Sequence, residues 1–392
     1  MVIKKWMIQG ILLFLCFMTS SINVFGAETD ERGGKEYIEQ ALEESGLSFE
    51  EIEKALENSS LQDTLSFDEI IRKLWNGETG EVLDRLGNMI KDSLFFELSQ
   101  NRKNFAQIIL LAVFAALITN LSSSMFSSSL QETGFFVTYL SMTGIVLRSF
   151  SLMLSVTKDA IYQVFDFMEV FIPSYAIAIT MVSGSVSSFA IYELVFLLIK
   201  GCQWLLKNVI LPLIEAYMMI GVINCVGETD RFSHMGNLMK EITERLLKWG
   251  TGIVLSLNLI QNMILPAVDS VKSTLWQKGL SAIPGAGNLL SALTGSILGA
   301  SVLIKNSIGV GCLIILILLC AVPVIKLIVF VLSFSCCSAF LQPISDKRLT
   351  GLLHVTGESG KLLVQTMIAC LTLFFITIAL AAISTNMRYY AG

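Results

Sequence analysis

Charged residues are scarce in this chain, making up 15% of 392 residues, whereas 54% are hydrophobic and the mean hydropathy is +0.69. A soluble protein carries about 25% charged and about 45–50% apolar residues, so the composition excludes an ordinary water-exposed surface. Histidine is also rare, with two residues in the chain. We therefore predict an integral membrane protein, and the shortage of histidine argues against catalysis by a histidine base.

The common motifs of nucleotide, metal and redox chemistry are missing as well. No G-x-G-x-x-G, G-x-x-x-x-G-K-[ST] or H-E-x-x-H motif occurs, and no dense basic tract indicates nucleic-acid binding. The eight cysteines lie in apolar runs without a C-x-x-C pair, which argues against a disulfide framework or a zinc site. We expect no catalytic, cofactor-binding or metal-binding residues.

Residues 1–26 predict a secretory signal peptide. Lys4 and Lys5 precede an uncharged stretch, and small residues stand three positions and one position before Ala27. An uncleaved membrane anchor is the alternative. Both interpretations place the following segment outside the cytoplasm.

Residues 27–103 form an acidic region. Positions 28–100 hold 19 acidic and 7 basic residues. Two capping boxes, each a serine followed three residues later by a glutamate, begin at Ser48 and Ser66. Apolar residues recur at helical spacing over 79–99. This pattern predicts a small helical extracytoplasmic domain.

The remaining region, 104–392, is a succession of uncharged runs near the length of about 20 residues that crosses a hydrocarbon layer. These runs are 104–131, 133–157 apart from Arg148, 170–192, 249–268, 279–304, 306–325, 327–345 and 362–387, and 194–227 is apolar apart from three charges. The length rule predicts an all-α polytopic membrane domain with about seven to ten crossings. It includes hairpins at 189–226 and 306–345.

Two basic loops, 228–248 and 346–361, are predicted to be cytoplasmic by the positive-inside rule. They resemble each other, because an Asp-basic pair stands 15 residues before a basic-Leu-Leu triplet in both. An internal duplication explains this resemblance, and so does the shared charge bias of cytoplasmic loops. Candidate contacts with cytoplasmic partners are Asp230, Arg231, Asp346, Lys347 and Arg348.

Some charged residues lie in or beside the predicted spans, where an ionised side chain costs about 2.5–3.5 kcal/mol near the bilayer centre. Asp166 and Glu169 share one helix face, and Glu193 and Lys200 share another. Together with Lys326 they are candidates for a polar passage. The alternative is an interfacial position, because lysines snorkel to the membrane surface.

A segment rich in small residues surrounds Gly295 and Gly299, which form a G-x-x-x-G motif. Close helix packing explains this motif, and glycines also permit a broken helix inside a protein-lined cavity. Lys305 and Asn306 follow where this segment meets a strongly apolar run. A pore-lining or re-entrant turn is a further interpretation of that position.

An ordered set of segments in the C-terminal half resembles the stage III sporulation protein AE family. The segments are Gly295-Ser296, Val302-Leu303-Ile304-Lys305-Asn306-Ser307-Ile308-Gly309, Pro323 with Lys326, and Gln342-Pro343-Ile344-Ser345-Asp346-Lys347-Arg348. The order of signal peptide, acidic segment and polytopic domain is also similar to that family.

The resemblance implies a non-enzymatic membrane-core subunit of the channel-like complex that links mother cell and forespore during endospore formation. It implies a position in the mother-cell membrane around the forespore. The implied partners are the other stage III A proteins, including a secretion-type ATPase and a ring-forming protein, and through the complex stage II sporulation protein Q. It carries over no catalytic residues. A self-sufficient secondary transporter is the alternative, motivated by the possible repeat and the intramembrane charges.

The predicted topology is testable with fused reporters. A reporter after residue 60 is expected to be extracytoplasmic, whereas reporters near residues 238 and 352 are expected to be cytoplasmic. Alkaline phosphatase and green fluorescent protein fusions distinguish these locations. Extracytoplasmic activity at position 238 or 352 would contradict the topology.

Overall fold

A computed structural model describes the backbone of residues 128–183, 187–226, 231–280, 287–343 and 346–391, and scattered helical positions between 69 and 113. Within these ranges it describes most side chains of 133–175, 196–226, 231–257, 307–343 and 346–378. The described part of the chain is helical and contains no strand. The predicted signal peptide and most of the predicted domain at 27–103 lie outside it.

Long helices joined by short connections make up the described structure. They are α1 (Ser128–Ser183), α2 (Ser187–Leu205), a π-helical turn (Leu206–Ile210), α3 (Leu211–Val226), α4 (Ser233–Leu280), α5 (Gly287–Leu341) and α6 (Lys347–Ala391). Leu205 and Leu211 on either side of the π-helical turn both have right-handed helical backbone angles. Residues 187–226 therefore form one continuous rod without a reversal, which we name the α2–α3 rod.

Cross-helix contacts establish the direction of each rod. Lys158 and Glu169 of α1 contact Glu215 and Lys200, so α1 and the α2–α3 rod are antiparallel. Helices α3 and α4 are also antiparallel, and so are α5 and α6. In contrast, Phe165 of α1 contacts Phe374 of α6, and Met153 lies near Gly360, so these two helices are parallel.

The two predicted cytoplasmic loops therefore lie at the same end of the bundle. Alternating directions bring the α3–α4 connection and the α5–α6 connection together. A side-chain carbon on Gly351 would stand 3.2 Å from Cys225 Sγ, and the Ser338 hydroxyl donates to the Thr350 carbonyl at 3.2 Å. This arrangement agrees with the loop resemblance seen in the sequence. Which side of the membrane this end faces stays a prediction.

Four helical segments among the described residues are long and apolar enough to cross a membrane. They are Phe136–Pro173, Phe196–Val226, Ser307–Leu341 and Lys347–Ile378. The prediction of an all-α membrane protein is confirmed. The shortest of these segments has 31 residues, which at about 1.5 Å per residue is near 46 Å and exceeds the bilayer core of about 30 Å.

Two predicted hairpins are wrong. Residues 189–226 form one rod instead of two crossings, and 306–341 lie within the single 55-residue helix α5, which contains Pro323. In the sequence, single charges such as Lys326 stand between the uncharged runs and suggest a boundary there. A lone charge does not reverse a helix, because its side chain finds a partner while the backbone hydrogen bonds continue.

Aromatic and aliphatic side chains from α1, α5 and α6 form the core. Phe165 of α1 meets Phe374 of α6 edge to face with ring centroids 5.0 Å apart, and Phe171 stacks between Phe167 and Tyr175. Ile70, from the scattered N-terminal positions, is fully buried in the same hydrophobic cluster. The described part of the N-terminal region therefore contributes to this core.

Glycines allow α6 to approach two neighbouring helices closely. A side-chain carbon on Gly221 of α3 would clash with Val355 of α6. One on Gly360 of α6 would stand 2.7 Å from Val331 Cγ2 of α5. Both valines are β-branched and stiff at χ1, so they cannot swing away cheaply. The packing of α6 against α3 and α5 therefore requires glycine at both positions, because no side-chain carbon fits there.

Gly221→Ala is expected to destabilise the bundle by about 1–3 kcal/mol, because overpacking forces α3 away from α6. Thermal unfolding of the purified chain in mild detergent measures the change. Gly144→Ala on α1 is the matched control, since a side chain there meets nothing within 4 Å. Gly221→Ala combined with Val355→Ala is expected to recover part of the loss. Equal stability of the two single glycine variants would contradict the packing account.

Candidate functional site

A line of polar and charged side chains follows the contact between α1 and the α2–α3 rod. We name it the charged seam. It comprises Lys158, Tyr162, Asp166 and Glu169 of α1, and Lys200, Lys207 and Glu215 of the α2–α3 rod. The α1 members recur at intervals of three or four residues, which places them on one helix face. The seam contains three basic and three acidic side chains and has no net formal charge.

The seam is held together by pairing across the two rods. Lys158 Nζ donates to Glu215 Oε1 at 2.7 Å, and Lys200 Nζ donates to Glu169 Oε1 at 2.5 Å. Between these pairs, Lys207 Nζ lies 5.1 Å from the centre of the Tyr162 ring, in cation–π geometry. Because α1 and the α2–α3 rod are antiparallel, residues later in α1 contact residues earlier in the α2–α3 rod. The three contacts follow this order.

These side chains remain open to their surroundings. Lys158 and Glu215 are 42% and 38% exposed, and Lys200 and Glu169 are 44% and 28% exposed. Asp166 is exposed and close enough to interact electrostatically with both Glu169 and Lys200. The seam therefore lies on the outside of the described bundle.

The α2–α3 rod cannot cross a membrane without a charge. Its longest uncharged run, Ala216–Val226, has 11 residues, whereas a crossing needs about 20. Any crossing by residues 187–226 therefore places at least one of Glu193, Lys200, Lys207 or Glu215 at hydrocarbon depth. Since a half-exposed ion pair is poorly solvated by lipid, the seam needs water or protein beside it.

A second charged cluster joins α4 to α6. The Glu358 carboxylate is 16% exposed and accepts hydrogen bonds from Lys240 Nζ and Lys361 Nζ, both at 2.5 Å. Burial alone would lower the pKa of Lys240, but the hydrogen bond and charge of Glu358 raise it above its ordinary value. A raised lysine pKa means that this pair stabilises the fold at neutral pH and is lost only as pH rises through that raised value.

Lys326 of α5 also has a partner. Its ammonium lies 3.4 Å from Glu97 Oε1, and the Glu97 side chain is 7% exposed. This ion pair ties the N-terminal region to α5. It gives Lys326 a structural role in the described chain, beside the predicted role in a polar passage.

The predicted loop contacts have different roles at the shared end. Asp346 begins α6 as its N-cap, because its carboxylate accepts the Arg348 backbone N–H at 2.8 Å. Lys347 and Arg231 are exposed, and Arg348 is half-buried. Asp230 lies outside the described residues.

The structure brings together some predicted residues and leaves others apart. Glu169 and Lys200, predicted on separate helix faces, form one ion pair. Gly295, Gly299, Lys305 and Asn306 all lie within continuous α5, so the predicted re-entrant turn at 305–306 is wrong. The side chains of these four residues and of Glu193 lie outside the description.

Sequence reasoning missed several residues that the structure places in ion pairs. In the sequence, Lys158 and Asp159 look like a polar boundary after an uncharged run. Lys240 and Glu358 look like ordinary charged residues of the two loops. The only available signal was the resemblance of the two loops, which brings 240 and 358 to the same level once both turns share an end. Among the described residues, no group of three His, Cys, Asp or Glu side chains is placed to hold a metal ion.

Reversing one charge of the seam is expected to lower the amount of folded protein. Glu169→Lys puts two ammonium groups together, and an uncompensated charge at hydrocarbon depth costs roughly 2.5–3.5 kcal/mol. Immunoblots of membrane fractions and thermal unfolding of the purified chain in mild detergent measure the effect. The double variant Glu169→Lys with Lys200→Glu is expected to recover most of both.

Glu241→Lys serves as the matched control for this charge reversal. Glu241 pairs with Arg245 on the exposed surface of α4, with both side chains more than 60% exposed, and such pairs contribute about 0–1 kcal/mol. The control is expected to behave like the unaltered protein. If Glu169→Lys were equally harmless, the seam would not lie at hydrocarbon depth.

Comparisons with known proteins identify the family of this chain. The family model for stage III sporulation protein AE matches residues 65–385. Stage III sporulation protein AE of Bacillus subtilis (strain 168) is 22% identical over 296 residues, covering 75% of this chain and 74% of that protein. No solved structure matches the chain significantly. The family match covers most of the chain, and it includes both rods of the charged seam and the two loops at the shared end: the chain belongs to the stage III sporulation protein AE family.

Proposed function

We propose that this chain is a non-enzymatic membrane-core subunit of the stage III A complex, which links mother cell and forespore. A sporulation role fits the family, and the described helices fit a membrane protein. The observation that carries the proposal is the charged seam. Its paired charges lie on the outside of the bundle along rods that are long enough to span a bilayer.

In this proposal the seam faces the aqueous interior of the assembled complex. The seam carries three basic and three acidic groups, so its net charge gives no strong preference for cations or anions. The seam then supplies a wettable wall rather than a binding site for one ion. An uncovered seam would face lipid in an isolated subunit, so in this proposal the chain needs partners that keep the seam in contact with water.

The end of the bundle that carries both loops is proposed to face the mother-cell cytoplasm, where the secretion-type ATPase acts. Exposed basic residues there include Arg231 and Lys347. Such a surface favours an acidic partner surface through electrostatic steering. The ring-forming stage III A protein and stage II sporulation protein Q are proposed to assemble on the opposite side, in the space between the two membranes.

A pull-down of the tagged protein from sporulating cells tests this proposal. Solubilisation in mild detergent and mass spectrometry are expected to recover the other stage III A proteins and, through them, stage II sporulation protein Q. The control is a pull-down with another stage III A protein as bait, which shows that the complex survives the detergent. Recovery of this chain alone from an intact complex would contradict the proposal and favour a self-sufficient transporter.

Solute movement separates the two functions further. The purified chain in liposomes is expected to move no small solute, because half of the proposed passage would be missing. Transport by the isolated protein would support the alternative.

A further inference from the structure

An apolar crevice opens between α2 and α4 on the outside of the bundle. Its volume is about 290 Å³, near the lower end of the roughly 300–1,000 Å³ typical of small-molecule sites. Side chains of α2, the π-helical turn and α4 form its walls, and Ala369 and Leu373 of α6 form its floor. Apart from backbone atoms, two glycines and Thr251, the crevice is lined by aliphatic side chains and Cys202.

Two glycines and the π-helical turn shape this crevice. A side-chain carbon on Gly201 would meet nothing within 4 Å, so this position leaves one wall open. On the facing wall, a carbon on Gly250 would stand 3.3 Å from Leu205 Cδ2. Leu206 and Ile210 of the π-helical turn line the inner part, and π-helical turns recur at functional sites.

The crevice has the length of one bilayer leaflet. Its lining on α4 extends from Leu246 to Leu257, which at 1.5 Å per residue is about 16 Å, close to half of the hydrocarbon thickness of about 30 Å. Trp249 stands near one end and is 70% exposed, and the neighbouring Lys248 is exposed. Tryptophan and lysine are typical of the level of the lipid headgroups.

Charge at that end is nearly balanced, because Lys248 lies 3.9 Å from Glu244 and Arg245 pairs with Glu241 at 2.6 Å. The long Lys248 contact leaves its ammonium available to a phosphate, whereas Arg245 is more firmly paired. The crevice therefore offers a phosphate contact at one end and a hydrocarbon slot beyond it. This arrangement does not select for a net negative headgroup.

We propose that this crevice binds one acyl chain of a membrane phospholipid, with the lipid phosphate beside Lys248 and Trp249. A second protein helix is about 10–12 Å across and does not enter a cavity of this volume, whereas a single hydrocarbon chain does. When the acyl chain lies in the crevice, its surface and that of the lining side chains contact each other instead of surrounding lipid or detergent. The bound lipid fills the space between α2 and α4 and holds the two helices at their observed separation.

Native mass spectrometry of the purified full chain tests the proposal. The protein is reconstituted in phosphatidylglycerol and phosphatidylethanolamine vesicles, extracted in mild detergent and washed until loosely associated lipid is lost. One phospholipid per chain is expected to remain. Gly201→Leu fills the crevice and is expected to abolish most of this retained lipid, because the added side chain occupies the space of the acyl chain.

Gly252→Leu is the matched control. A carbon at Gly252 also meets nothing within 4 Å, but this glycine does not line the crevice. The control is expected to retain lipid like the unaltered chain. Equal lipid retention by the Gly201→Leu and Gly252→Leu variants would overturn the proposal, as would complete loss of lipid from the unaltered chain.

Fluorescence quenching provides a second measurement that does not depend on filling the crevice. Vesicles of phosphatidylglycerol with brominated acyl chains are expected to quench Trp249, seen as the difference between the unaltered chain and Trp249→Phe. Quenching is expected to persist at a low ratio of brominated to ordinary lipid only if one site retains the lipid preferentially. A signal that follows the bulk lipid ratio would contradict a specific site.

Discussion

The spacing of charges along the α2–α3 rod constrains the structure more than any other feature. With an uncharged run of at most 11 residues, this rod cannot cross the bilayer unless its charges are matched. At hydrocarbon depth the match comes from α1, whose Glu169 meets Lys200, and Lys158 meets Glu215 in the same antiparallel register nearer the end that carries the loops. A shift of one helical turn would separate both pairs, so the charges and the packing specify the same arrangement.

Close contacts at α6 extend that arrangement to the rest of the bundle. α6 touches α1 through Phe374, α3 through Val355 at Gly221, and α5 through Gly360. It also touches α4 through the Glu358 carboxylate, which is shared by two lysines. Small residues bring the helices together and charged pairs set their register, which is how helices associate where lipid offers no hydrophobic drive. These contacts of α6 hold in place the helices that carry the charged seam.

Much of this account could be predicted from the sequence, because composition and charge placement act locally. The membrane class, the helical fold and the common end of the two loops follow from such signals, whereas the family follows from the resemblance of the ordered segments between Gly295 and Arg348. The number of reversals did not, since a charge such as Lys326 reads as a boundary until its partner Glu97 is known. Pairs such as Lys240 with Glu358 depend on the relative rotation of distant helices, which only packing determines.

The central claim is that the charged seam faces water in the assembled complex. Accessibility of an engineered cysteine tests it directly, in membranes isolated from sporulating cells and in a background where the natural cysteines are replaced. Asp166→Cys lies in the seam, and Leu152→Cys, on the same helix, replaces an exposed leucine and serves as the comparison. The account predicts that a charged, membrane-impermeant thiol reagent modifies Asp166→Cys rapidly and Leu152→Cys slowly. Equal protection of both cysteines in the intact complex would contradict it.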